Sequence, residues 1–218
     1  MIISIIVNFV PIIIAILLHE IAHGYAAKRC GDNTAYLQKR LSFNPIWHID
    51  LFGTIIIPSL LLLSKTGFVF GWAKPVPVNY NNLKNYKRDI LIVASAGIIT
   101  NIALAIISAL LLPLVQQIPH QLTNGILSLF FMNMVIFNIV LAVFNALPFP
   151  PLDGSKILLG WSTNPKIINF LNADKYGTMF IIIIAFILPA FTRYFGLDFN
   201  PLGAYIINTS RFLINILI

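Results

Sequence analysis

The sequence predicts an all-α polytopic membrane protein, a bundle of about five to six transmembrane helices with a membrane-associated extended or re-entrant hairpin. Three observations carry this reading. Of the 218 residues, 58% are hydrophobic and only 10% charged, which leaves no long polar stretch able to fold as a separate soluble domain. The apolar residues come in runs long enough for membrane helices. Lys and Arg gather between those runs, at Lys28, Arg29, Lys39, Arg40, Lys84, Lys87, Arg88, Lys156 and Lys166. These cations mark the cytoplasmic side, and they account for the net charge of +7 by contact with anionic lipid headgroups. The lipid bilayer is therefore the expected partner of the basic residues, and nucleic acid is not.

The first helix is expected from Ile2 to about Lys28. No charge interrupts Ile2–Leu18, and Pro11 is the point where this helix is expected to bend. The N-terminus lacks a basic leader and a small-residue cleavage site, so it reads as a retained membrane helix that starts outside. Gly31-Asp32 ends it. Residues 41–50 form an interfacial connector in which Trp47 and His48 suit headgroup depth. Leu51–Leu63 is apolar but short, and carries Gly53 and Pro58, so it crosses obliquely or only dips in. From Gly67 to Asn79 alternating prolines, glycines and β-formers argue for an extended hairpin packed on protein. Its edge could pair with an unwound peptide.

Ile90–Leu114 and Ile126–Leu147 are clear spans, joined by an uncharged external loop in which His120 lies far from any other ligand-type residue. In the first, Gly97 and Asn101 are one turn apart and face the same neighbour. In the second, Asn138 and Asn145 share a face. Pro148-Phe149-Pro150-Pro151 then stops the helix, and Asp153-Gly154 follows at once. Tyr176–Leu188 and Leu202–Ile218 complete the bundle as scaffold or gate, and the chain carries no internal repeat. The lone cysteine, Cys30, excludes an internal disulfide and packs as a small residue near a helix end.

One stretch stands apart chemically. His19-Glu20-Ile21-Ala22-His23 closes the first apolar run, and Glu20 is the only glutamate in the chain. On a helix, His19 and His23 lie one turn apart on one face, so both imidazoles reach one cation. Glu20 sits about 100° round the helix, where it serves as a base toward water rather than as a third equivalent ligand. This is the HExxH arrangement, two ligands and a general base of zinc hydrolases. Ionisable groups in apolar helices cost several kcal/mol and mark function. A catalytic zinc takes three protein ligands. Asp153 agrees with the His pair in depth and sidedness and is therefore the expected third ligand, ahead of its rivals Asp50 and His48 in the connector.

Three segments resemble the site-2 protease family of intramembrane zinc metalloproteases (peptidase family M50), most closely the compact bacterial members without a PDZ domain. They are His19-Glu20-Ile21-Ala22-His23-Gly24, Gly71–Asn79, and Phe144-Asn145-Ala146-Leu147-Pro148-Phe149-Pro150-Pro151-Leu152-Asp153-Gly154. The resemblance covers nearly the whole chain and implies a single integral-membrane metalloprotease domain over residues 1–218. It implies Zn2+ held by His19, His23 and Asp153, with Glu20 as general base and acid and Asn145 near the scissile carbonyl. The implied substrate is a membrane protein with a transmembrane helix, cleaved toward the cytoplasmic side of the cell membrane. Residues 97–101 depart from the family's Gly-Pro-x-x-Asn segment, because Ile98 stands where proline is usual, and Asn101 is read as a structural amide. A divalent-metal transporter would also place His and Asp in membrane helices, but along a path of several sites. A catalytically inactive, metal-stabilised membrane protein is the other alternative.

Overall fold

The computed structural model describes residues 2–56, 59, 73–172, 174–197 and 199–218. Within them the regular structure is helical. α1 (Ile2–Cys30) is followed by a single turn, α2 (Thr34–Leu37). Short 3-10 and π turns at Pro45–His48, Leu51–Ile56 and Tyr80–Asn82 lead to α3 (Tyr86–Gln116) and α4 (Gln121–Asn145). α5 (Asp153–Trp161) and α6 (Pro165–Leu171) come after the proline break. α7 (Asp174–Ile182) runs through a π-helical segment (Ile183–Ile187) into α8 (Leu188–Tyr194), and α9 (Pro201–Leu217) ends the chain. The π-helical segment lies directly before Pro189, whose missing N–H cannot close a regular α turn.

Four helices among the described residues are long and apolar enough to cross a membrane: Ile3–Cys30, Tyr86–Gln116, Gln121–Asn145 and Tyr176–Tyr194. α9, with 17 residues, stands at the lower limit of a span. The first arm of the expected hairpin (residues 67–72), and positions 57, 58 and 60–63 of the short apolar run, lie outside the described residues. The described arm of the hairpin, residues 73–79, is non-helical and is paired in no β ladder among the described residues.

α1, α3 and α4 pack against one another, with α1 and α4 parallel and α3 antiparallel to both. Small residues allow the close approach: Ala15, Ala27 and Ala105 are fully buried. Two apolar clusters bracket the middle of the bundle. One joins Ala27 and Cys30 to Ile90, Val93, Leu159 and Leu171, tying the end of α1 to α3, α5 and α6. The other joins Ala105, Ala109, Val135, Ile139 and Val143, with Leu213 and Leu217 of α9 laid over them. The polar residues of α1 lie between these clusters. Cys30 packs in the first cluster, as a small residue at a helix end should.

Candidate metal centre

His19 lies 11 residues before the end of α1, about 16 Å along the helix. Gly97 lies the same distance into α3, so the antiparallel pair brings them to one level. A Cβ at Gly97 would stand 2.5 Å from both His19 Cε1 and His23 Nε2, closer than a side chain permits. Only glycine lets α3 approach the two imidazoles. Asp153 reaches the same level by the proline break. α4 stops at Asn145, the chain turns through Pro148–Pro151, and α5 starts at Asp153. Gly154 permits that turn, because a Cβ there would overlap the Ala146 and Leu147 carbonyls.

His19, His23 and Asp153 each turn one ligand atom to a common point. The His19 and His23 Nε2 atoms are 3.1 Å apart, and Asp153 Oδ2 is 3.2 Å from each. The protons of the rings are on the far side. His19 Nδ1 donates to Asn101 Oδ1 at 2.6 Å, and His23 Nδ1 donates to the Val93 carbonyl at 2.7 Å. In the neutral rings each Nε2 is therefore a lone pair, and Asp153 Oδ2 is buried with no polar neighbour but these two ring nitrogens, so a proton or a metal cation must sit among the three. Three lone pairs at this spacing repel unless a cation sits among them. Ligands at about 2.0–2.1 Å round a tetrahedral zinc are roughly 3.3 Å apart, so the donor set fits such an ion in both chemistry and spacing.

Glu20 stays outside this trio. Its Oε2 accepts the Val76 N–H at 2.8 Å, which leaves Oε1 without a protein partner among the described residues. The strap formed by residues 73–79 is held along its length. Lys74 N–H donates to the His48 carbonyl, Arg40 donates to the Lys74 and Pro75 carbonyls, and Asn79 N–H donates to Asp32 Oδ2. Asp32 also accepts from Thr34 and from the Asn82 amide. Burial pushes its carboxyl up, but these hydrogen bonds outweigh burial and hold it below the ordinary carboxylate range. With Pro75 and Pro77 lacking an N–H, most donors of this arm are spent on the protein itself.

The structure sorts the other sequence-predicted residues. Asn145, the last residue of α4, donates to the Leu141 carbonyl of its own helix at 3.0 Å and makes no hydrogen bond to the trio. Asn138, on the same face, meets Asn101 instead. Asp50 caps Gly53 N–H, and His48 Nε2 bonds the Ser42 carbonyl. His48 is 4% exposed, so it lies under the strap while Trp47 alone of that pair faces outward. His120 caps α4 through Thr123. Asp32 and Arg40, read from the sequence as a helix end and a topological marker, are the anchors of the strap; a one-dimensional pattern holds no sign of contacts more than 30 residues away.

A membrane-type helical bundle with a buried His-His-Asp trio beside a lone carboxylate defines a metal-dependent membrane protein of hydrolytic type. The chain is 36% identical over 183 residues to a Bacillus subtilis (strain 168) protein named "Putative zinc metalloprotease YwhC", covering 83% of this chain and 80% of that one. It is 26% identical over 204 residues to the Mycolicibacterium smegmatis protein named "Putative zinc metalloprotease Rip2", covering 90% and 74% of the two chains. The chain belongs to the metalloprotease family of YwhC. No family model matches it, and no solved structure matches it significantly.

Proposed function

We propose that this protein is an intramembrane zinc metalloprotease of the site-2 protease type (peptidase family M50), which hydrolyses peptide bonds in or near transmembrane segments of membrane proteins. The observation that carries the proposal is the convergence of the His19, His23 and Asp153 ligand atoms, with Glu20 beside them, in the second half of the membrane-type helix α1. The names of the two relatives support the same chemistry. His19, His23 and Asp153 hold the ion, and zinc when bound supplies a Lewis acid that polarises a peptide carbonyl and acidifies water.

Glu20 then works with its free Oε1. It takes the proton of the attacking water and returns it to the leaving amine, while the Val76 N–H fixes the other oxygen. Asn145 turns its amide from Leu141 toward the scissile carbonyl and donates to the developing oxyanion. A helix hides its carbonyls, so the substrates are transmembrane helices with helix-breaking residues near the site. The basic residues at the shared end of α1 and α3 support an orientation with that end, and the site near it, toward the cytoplasm.

The test is Glu20→Gln in purified protein. Zinc content is expected to persist while cleavage of a membrane-helix substrate falls by at least about 100-fold, the scale of general-base loss. Undiminished cleavage by that variant would defeat the assignment. Zinc flux into sealed vesicles would favour a transporter, and none is expected.

A further inference from the structure

We propose that Asn101 and Asn138 form an amide relay that fixes which nitrogen of His19 faces the metal position, and so set the metal affinity of the site. The inference rests on the metal-centre reading above. Both asparagines are fully buried in the middle of the bundle. Asn101 Oδ1 accepts from His19 Nδ1 at 2.6 Å; its Nδ2 donates to the Ala15 carbonyl at 3.2 Å and to Asn138 Oδ1 at 2.8 Å. Asn138 Nδ2 in turn donates to the Met134 carbonyl at 2.8 Å.

The direction of this chain is forced from its far ends. A backbone carbonyl only accepts, so the Met134 carbonyl requires Nδ2 of Asn138 and turns Asn138 Oδ1 toward Asn101. The Ala15 carbonyl and Asn138 Oδ1 both require Nδ2 of Asn101, and that turns Asn101 Oδ1 toward His19. Facing an oxygen, His19 must carry its proton on Nδ1 and present Nε2 as a lone pair. Were Asn101 flipped, its N–H would meet Nδ1, the proton would move to Nε2, and His19 would be lost as a ligand. Both amides are fully buried, so bulk water does not compete for these hydrogen bonds.

His23 needs no relay, because its Nδ1 meets the Val93 carbonyl directly. The relay is also neutral. A carboxylate in the Asn101 position would add a third negative charge beside Asp153 and Glu20, whereas an amide orients the ring with no change in the net charge of the centre. Partners that orient a ligating histidine typically contribute a factor of about 10–100 in metal affinity. The sequence showed two asparagines in membrane helices, and the fold brings them together across α3 and α4.

The experiment measures zinc affinity of the full chain in detergent by competition with a chromophoric chelator, so it does not depend on proteolysis. Asn101→Leu should weaken zinc binding about 10–100-fold. Asn138→Leu, which leaves Asn101 in place but removes the acceptor that orients its amide, should also weaken zinc binding, by a smaller factor. Asn133→Leu is the structural control: Asn133 is also buried on α4 and bonds the Val7 carbonyl and Asn8, outside the relay. It should lower the melting temperature and leave zinc affinity unchanged. Wild-type affinity in Asn101→Leu or in Asn138→Leu, or an equal loss in Asn133→Leu, would overturn the relay. If Asn101→Leu does not fold, histidine 15N shifts of metal-free wild type decide the matter, since His19 must appear as the Nδ1–H tautomer. His19→Ala retaining zinc would instead overturn the metal centre itself.

Discussion

Gly97→Ala is the sharpest test of the packed centre. The added methyl would lie 2.5 Å from His19 Cε1 and His23 Nε2 and 2.7 Å from His19 Nδ1, where ordinary contact starts at 3.4 Å. Both rings must therefore retreat by about 0.9 Å, well beyond the roughly 0.2 Å tolerance of a metal–ligand bond. They cannot retreat freely, because each is tied through Nδ1 to Asn101 or Val93. Overpacking costs about 1–3 kcal/mol, while alanine gains about 1 kcal/mol over glycine in a helix interior. The metal-free protein should thus melt near the wild-type temperature, or modestly below it. Zinc affinity should fall at least about tenfold, about 1.4 kcal/mol or more. Chelator competition measures the second quantity and thermal melting with excess chelator the first. Zinc affinity equal to wild type in Gly97→Ala would refute the claim that α3 packs its backbone onto the two imidazoles.

Other outcomes follow from the strap and the ligand set. Val76→Pro removes the N–H that holds Glu20 and should lower kcat about 10–100-fold with zinc content intact, whereas Val76→Ala keeps the N–H and should retain most activity; equal rates for both variants would count against the strap's role. Asp32→Ala removes a fully buried carboxylate that accepts from Thr34, Asn79 and Asn82 and should cost about 1–3 kcal/mol of stability, read from chemical denaturation. Its pH dependence has a definite sign. The folded carboxyl titrates below its unfolded value of about 3.9, so the stabilisation is present above that pH and is lost as pH falls through the folded value. The melting difference between wild type and Asp32→Asn should hold from about pH 7 to 4 and shrink below it. Stripping the metal with a strong chelator should lower the melting temperature, and adding zinc back should restore it in a concentration-dependent way; His23→Ala should show neither effect.

The strap explains how Glu20, the proposed base, can be both available and fixed. Glu20 sits on α1 with one oxygen tied to Val76, and the strap is itself tied to Asp32 at one end and Arg40 at the other. A carboxylate on a helix surface would otherwise sample several rotamers. Here one oxygen is spent on orientation and the other is kept for chemistry. The same economy appears at the imidazoles, which spend Nδ1 on the protein and keep Nε2 for the metal position.

Much of this molecule was legible in its residues taken one after another. Unbroken apolar runs specify membrane helices, because a chain in lipid must satisfy its backbone internally. The helical period puts His19 and His23 on one face, and proline's missing donor ends α4 just before Asp153. These are local consequences of the chain, so they need no knowledge of the fold. What only the tertiary structure decided are contacts between distant segments. The meeting of Asp153 with the imidazoles, expected from the sequence only by depth and sidedness, is such a contact, while Asp50 and His48 bond Gly53 and Ser42 instead. So are the meeting of Asn101 with Asn138 and the grip of Val76 on Glu20. Hydrogen bonds and ligand geometry depend on tenths of an ångström, and those are set by how helices pack, which local periodicity does not encode.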